Sequence, residues 1–100
     1  MMLVAIGCLA SSCKKEQTPG DNEVFIQGNK FDPATITVAA GTVVVWTNKD
    51  NVAHTVTSTG HFDSGSISAG MSFSINFDST GTFDYHCTLH SGMTGTVVVQ

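Results

Sequence analysis

Thr82-Phe83-Asp84-Tyr85-His86-Cys87-Thr88-Leu89-His90-Ser91-Gly92-Met93 alternates for six residues and then stops. Phe83, Tyr85 and Cys87 share one face, and Thr82, Asp84 and His86 share the other. That period of two belongs to a strand with one buried face. After Cys87 the alternation gives way to a tight loop containing Gly92. The stretch therefore predicts a strand that ends at a cysteine and turns at once.

The same pattern extends outward. Residues 24–27 form a first strand, broken at Gly28-Asn29-Lys30, and Asp32-Pro33 opens a new segment. Residues 35–38 place Ile36 and Val38 on one face. Residues 42–48 carry Val43 and Val45 on one face and Val44 and Trp46 on the other. That predicts a central strand covered on both sides. Residues 53–58 put His54, Val56 and Ser58 together, and residues 71–77 put Phe73, Ile75 and Phe77 together. Residues 96–99 form the last strand. Turn residues recur every eight to twelve positions, as at Ala39-Ala40-Gly41, Asp63-Ser64-Gly65 and Ser79-Thr80-Gly81. Seven or eight short strands at this spacing predict an all-β sandwich or small barrel.

Composition agrees. Of 100 residues, 29 are Thr, Val or Ile, and Leu89 is the one leucine after Glu23. Helical bundles draw on Leu, Ala, Glu and Lys, and β-branched residues favour strands. The four cations are all lysine and the formal charge is −4, leaving almost nothing to build a nucleic-acid surface. Three cysteines cannot complete a disulfide framework. A domain of residues 23–100 is marginal on size alone, and a bound metal would add to its stability.

The N-terminus reads as an address. Met1 to Ala10 is apolar but too short to span a bilayer, and Ser11-Ser12-Cys13-Lys14-Lys15 follows. Residues 1–12 resemble a bacterial lipoprotein signal, which implies cleavage before Cys13 and a lipid on that cysteine. Cys8, after Gly7, is the alternative lipid site. Residues 13–22 are polar and aperiodic, a flexible tether. The chain is thus expected to be exported to the bacterial periplasm or cell envelope and anchored by lipid.

Cys87, His90 and Met93 are spaced three apart in the loop. A thiolate, an imidazole and a thioether make a soft donor set that suits copper better than magnesium or calcium. His54, expected to point inward with Val56, is the natural fourth donor. Two histidines, one cysteine and a weakly held methionine are the blue-copper electron-transfer set, tolerable to both Cu(II) and Cu(I).

Phe31-x-Pro33-x-x-Ile36-x-Val38-x-x-Gly41-x-x-Val44-x-Trp46-x-Asn48-x-Asp50, then His54, then Cys87-x-x-His90-x-x-Met93, resembles the cupredoxins, or type 1 blue copper proteins. Among them it is most similar to the amicyanin, pseudoazurin and plastocyanin group. The resemblance implies a Greek-key β-sandwich, one copper per chain held by His54, Cys87, His90 and Met93, and single-electron shuttling. It also implies a monomer that docks redox partners through an apolar patch near His90. Three positions depart from the pattern. Thr55 stands where the group usually has Asn; its N–H is placed to donate to the Cys87 sulfur and its hydroxyl to reach Thr88. Leu89 and Ser91 stand at proline positions, which would let a more mobile loop release a protonated His90 from Cu(I).

The remaining candidates read more plainly. His86 points away from Cys87, His61 sits in a solvated loop, and Trp46 belongs to the core. Asp32, Asp50, Asp63, Asp78 and Asp84 are scattered solvated turn residues, with no pair for acid–base catalysis. The second functional reading is a protein of copper delivery or storage, which would expose its ligands. An enzymatic reading needs additional copper sites with His-x-His pairs, and the sequence has none. The methionine disfavours zinc.

Overall fold

A computed structural model describes residues 18–100. The signal and lipid expectations at Cys8 and Cys13 lie outside the described residues. Nine strands and no helix occur among them: β1 (Glu23–Ile26), β2 (Phe31–Asp32), β3 (Thr35–Val38), β4 (Thr42–Asn48), β5 (Thr57–Ser58), β6 (Phe62–Asp63), β7 (Ser72–Phe77), β8 (Gly81–His86) and β9 (Thr94–Val99). The count exceeds seven or eight because three strands are only two residues long. Residues of the expected loop at Asp63 belong to one of these, β6.

The strands form two sheets, ordered β2-β1-β4-β7 and β3-β9-β8-β5-β6. The β1–β2 hairpin turns at Gly28 and Asn29, with φ of 66° and 57°. Two successive left-handed residues are what a tight hairpin turn demands, and Gly and Asn tolerate them best. The chain then crosses to the second sheet, where β3 runs parallel to β9, and returns as β4, parallel to β1. The turn at residues 20–22 already docks on this sheet. The Asn22 side chain donates to the Val43 carbonyl at 2.8 Å, and Val45 N–H donates to the Asn22 carbonyl at 2.9 Å.

The core lies between the sheets. Val24, Ile26, Val44 and Trp46 from one meet Ile36, Val38, Tyr85, Val97 and Val99 from the other. Trp46 is wholly buried; Tyr85 stands edge-on to it at 5.4 Å, and Phe62, Phe73 and Phe77 lie 6.1–6.3 Å away. Gly95 faces Tyr85 across the β8–β9 ladder, and a Cβ there would run into the phenol ring. Its bare backbone is the floor on which Tyr85 lies. Burial pushes the Tyr85 phenol up to about 12, so it stays neutral under ordinary conditions.

Strand β4 corrects the expectation of cover on both sides. It is central in its sheet, but Val43 is 42% exposed and Val45 half-buried. A two-layer sandwich buries one face of each sheet, and β-branched residues on the outer face still favour the extended backbone.

A second correction concerns residues 53–58. Regular strand is confined to Thr57–Ser58, and His54 makes only an isolated antiparallel bridge to Ile67. This segment is the crossing from β4 to β5. Both of its faces are covered at residues 54–56, so His54, Thr55 and Val56 are all buried.

Candidate metal centre

The site forms where the crossing segment meets the end of β8. Cys87, at 4% exposure, follows the last residue of β8 and keeps the inward face of Phe83 and Tyr85. Its N–H donates to the Met93 carbonyl at 3.1 Å, which closes residues 88–92 into a loop between β8 and β9. His90 stands half-buried on that loop, between exposed Leu89 and Ser91, and Met93 is buried at its far end.

His54 Nδ1 lies 3.8 Å from Cys87 Sγ, and His90 Nδ1 lies 3.7 Å from it. The three donor atoms all fall within 4.8 Å of one another, and the two imidazole centroids are 4.6 Å apart. The triangle has the size of a metal site. Bonds of about 2.05 Å to nitrogen and about 2.3 Å to sulfur, opened to roughly 120°, separate the two donors by about 3.8 Å.

The surroundings prepare each donor. Asp50 Oδ2 lies 2.8 Å from His54 Nε2. A carboxylate accepts only, so Nε2 carries the proton and Nδ1 turns its lone pair toward Cys87. Asp50 is itself fixed by the β1–β2 turn, with Gly28 N–H donating to Oδ1 at 2.7 Å and Asn29 N–H to Oδ2 at 3.1 Å. Burial pushes the Asp50 carboxyl up, but the Asn29 and Gly28 N–H groups and the nearby imidazole outweigh it. The net direction is down from 3.8.

That depressed carboxyl has a consequence in acid. Its folded form loses the proton more readily than the unfolded chain, so its stabilisation is complete above the unfolded value and fades as pH falls through the folded one. The denaturant midpoint of the metal-free protein is therefore expected to drop as pH descends below 3.8. The drop should be shallower in Asp50→Asn. Identical acid limbs in the two proteins would contradict this account.

Cys87 is similarly prepared. Burial pushes its thiol up, but Thr55 N–H, the His90 imidazole and the Leu89 and His90 N–H groups more than offset that, holding it below 9.0. Thr55 N–H stands 3.4 Å from Sγ, and Thr55 Oγ1 accepts from Thr88 N–H at 2.8 Å and lies 3.2 Å from the Thr88 hydroxyl. Both expected contacts of Thr55 are therefore present.

Asn48 completes the frame. Its wholly buried amide donates to the Val52 carbonyl at 2.8 Å and the Ile67 carbonyl at 2.9 Å, and its oxygen accepts from Asp50 N–H at 3.0 Å. Asp50 and Asn48 stood in the motif that carries the family resemblance, yet composition and periodicity assigned them nothing. Asp50 is thus not the solvated turn residue expected. The available signal was a carboxylate four residues before a buried histidine, the usual partner of a ligand imidazole. His86 is half-buried on the opposite side of β8, and His61 is exposed with its edge against Phe83 at 5.3 Å. Cys87 is the free cysteine among the described residues.

A two-sheet sandwich with a His-Cys-His triangle at one end defines a cupredoxin. The chain belongs to the cupredoxin-like domain family, which it matches over residues 1–99. It is 33% identical to amicyanin-alpha of Methylorubrum extorquens over 106 residues, covering 96% of this chain and 86% of that protein. It is 32% identical to amicyanin of Paracoccus denitrificans over 95 residues, covering 85% and 70%. A Cu(I) form of an amicyanin variant superimposes with a TM-score of 0.77 at 29% identity, covering 86% of this chain and 88% of that one.

Proposed function

We propose that the protein is a one-electron carrier in which one copper ion per chain would be held by His54, Cys87 and His90, with Met93 as a weaker fourth donor. The observation that carries this reading is the 3.7 and 3.8 Å separation of the two imidazole nitrogens from one buried sulfur. Bound copper supplies the redox chemistry, alternating between Cu(II) and Cu(I). The chain's own residues do the rest. Asp50 fixes the tautomer of His54, Thr55 N–H shares the thiolate's charge, and the packed end of the sandwich excludes water from Cys87. A frame held from so many sides changes little when an electron enters or leaves, which keeps the transfer barrier low.

His90 is the donor nearest solvent, beside Leu89 at 54% exposure, and that end is where a redox partner would dock. The protein acts as a monomeric carrier, not an enzyme, exported to the cell envelope and tethered by lipid on Cys13. Copper delivery or storage fits less well, because His54 and Cys87 are buried away from any exchanging partner. Adding one equivalent of Cu(II) to the purified protein tests this. An intense visible band, bleached by reductant and restored by oxidant, is expected. A weak band with copper readily stripped by a mild chelator would favour delivery.

A further inference from the structure

Beyond the donors, a line of side chains runs from the thiolate's neighbour to the surface. Thr55 Oγ1 lies 3.1 Å from Thr57 Oγ1, and the Thr57 hydroxyl donates to Asp63 Oδ1 at 3.1 Å. Thr57 and Asp63 are directly paired across β5 and β6. Gly65 N–H also donates to Asp63 Oδ1, at 3.0 Å, which fixes the carboxylate from a second side.

Counting protons gives this line a direction. Each threonine hydroxyl has one proton, and an ionised carboxylate only accepts. The Thr57 proton goes to Asp63, so Thr57 must accept from Thr55. The Thr55 proton is thereby spent, and the short contact between Thr55 and Thr88 has the Thr88 hydroxyl as donor. Thr55 Oγ1 then accepts twice, from the Thr88 hydroxyl at 3.2 Å and from Thr88 N–H at 2.8 Å. Every hydroxyl proton points toward Asp63, and every oxygen turns its negative end back toward Cys87 and Thr88.

From this we infer that Asp63, an exposed residue remote from the donor set, is a positioning residue for the copper centre. It polarises the Thr57–Thr55–Thr88 hydroxyl chain in the sense that favours the more positive, oxidised ion. The inference rests on the copper reading above. It begins at Thr55, where the family pattern usually has asparagine. Aligned hydroxyls in a partly buried setting strengthen one another, so the orientation set at the surface reaches the loop behind Cys87.

The test separates the chain from simple charge. Thr57→Val breaks the line while leaving the Asp63 charge, Thr57→Ser keeps it, and Asp63→Ala removes the anchor. Asp63→Asn removes the charge and keeps an oxygen able to accept from Thr57. In the copper-loaded proteins the reduction potential is expected to rise in Thr57→Val and Asp63→Ala, and to stay at the parent value in Thr57→Ser. The combined variant should rise by less than the two single shifts added together, as coupled groups do. Asp63→Asn reports how much the charge alone contributes, and a shift in it equal to that of Asp63→Ala overturns the inference. So does a parent potential in Thr57→Val.

The metal-free protein gives a second readout. The Thr55 hydroxyl proton should show a stronger nuclear Overhauser contact to Thr57 than to Thr88, an order that reverses in Thr57→Val. A stronger parent contact to Thr88 instead reverses the direction and overturns the inference. Failure of the parent to develop a thiolate–copper spectrum would overturn the functional reading itself, and the tuning role with it.

Discussion

Cys87→Ser is expected to abolish the intense visible band while leaving the sandwich folded. The band requires a soft sulfur sharing electron density with copper, and a serine hydroxyl stays protonated where the Cys87 thiol is already held below its ordinary range. Loss of ligands' supporting partners alone weakens metal sites by about 10–100-fold. Loss of the central donor should therefore cost at least about 100-fold in copper affinity. The fold should survive, because a serine oxygen occupies nearly the same volume and can still accept from Thr55 N–H. Its stability should change by about 1 kcal/mol, the scale of one exchanged hydrogen bond. The rise in melting temperature on adding copper should vanish too, since that rise is binding energy to the native state. Retention of the parent colour would show that the copper is held elsewhere.

The largest effect on stability is expected from Trp46→Ala. Trp46 is wholly buried and central to the aromatic cluster, touching Tyr85 from the second sheet and Phe73 and Phe77 from its own side. Tyr85 is tied into the β8–β9 ladder and packed on Gly95, and Phe73 and Phe77 sit on β7, so the neighbours are held in place by their strands. Such a cavity stays largely open, and removing a tryptophan costs about 3–5 kcal/mol. A small domain has about 5–15 kcal/mol in all and loses roughly 4–8 °C per kcal/mol, so the melting temperature should fall by at least about 12 °C. Trp46→Phe should recover most of that loss. A fall of only a few degrees in the alanine variant would mean the core closes around the gap, against the packing described.

The fold was readable wherever one face of a strand is buried. Phe83, Tyr85 and Cys87 alternate because β8 has a single inward face, and Ile36 and Val38 do the same on β3. Val43 and Val45 misled because β-branching serves backbone preference as well as burial, and a sequence does not separate the two. The crossing at residues 53–58 misled differently: it is buried on both faces without being a strand, so its apparent alternation was only local. His54, Cys87 and His90 were legible because their chemistry is specific and two of them share one loop. Asp50, Asn48 and Asp63 were not, since polar residues in turns look alike until the fold decides what they face. Asp50 gains its role from a hairpin turn about 20 residues away, and Asp63 from a threonine on the neighbouring strand.

The crossing segment has one more consequence. Residues 49–56 carry the chain from β4 in one sheet to β5 in the other, and His54 rides on that bridge while Cys87 directly follows β8 of the second sheet. Asn48, the last residue of β4, grips the bridge at Val52 and through Asp50. Sliding of one layer over the other is therefore expected to strain the distance between imidazole and thiolate, since Asp50 ties His54 to the β1–β2 turn and Thr55 ties the same segment to Cys87. The colour centre is a built-in strain gauge for the sandwich. Under hydrostatic pressure, which destabilises folded packing, the visible band should shift before the far-ultraviolet signal of the strands begins to change.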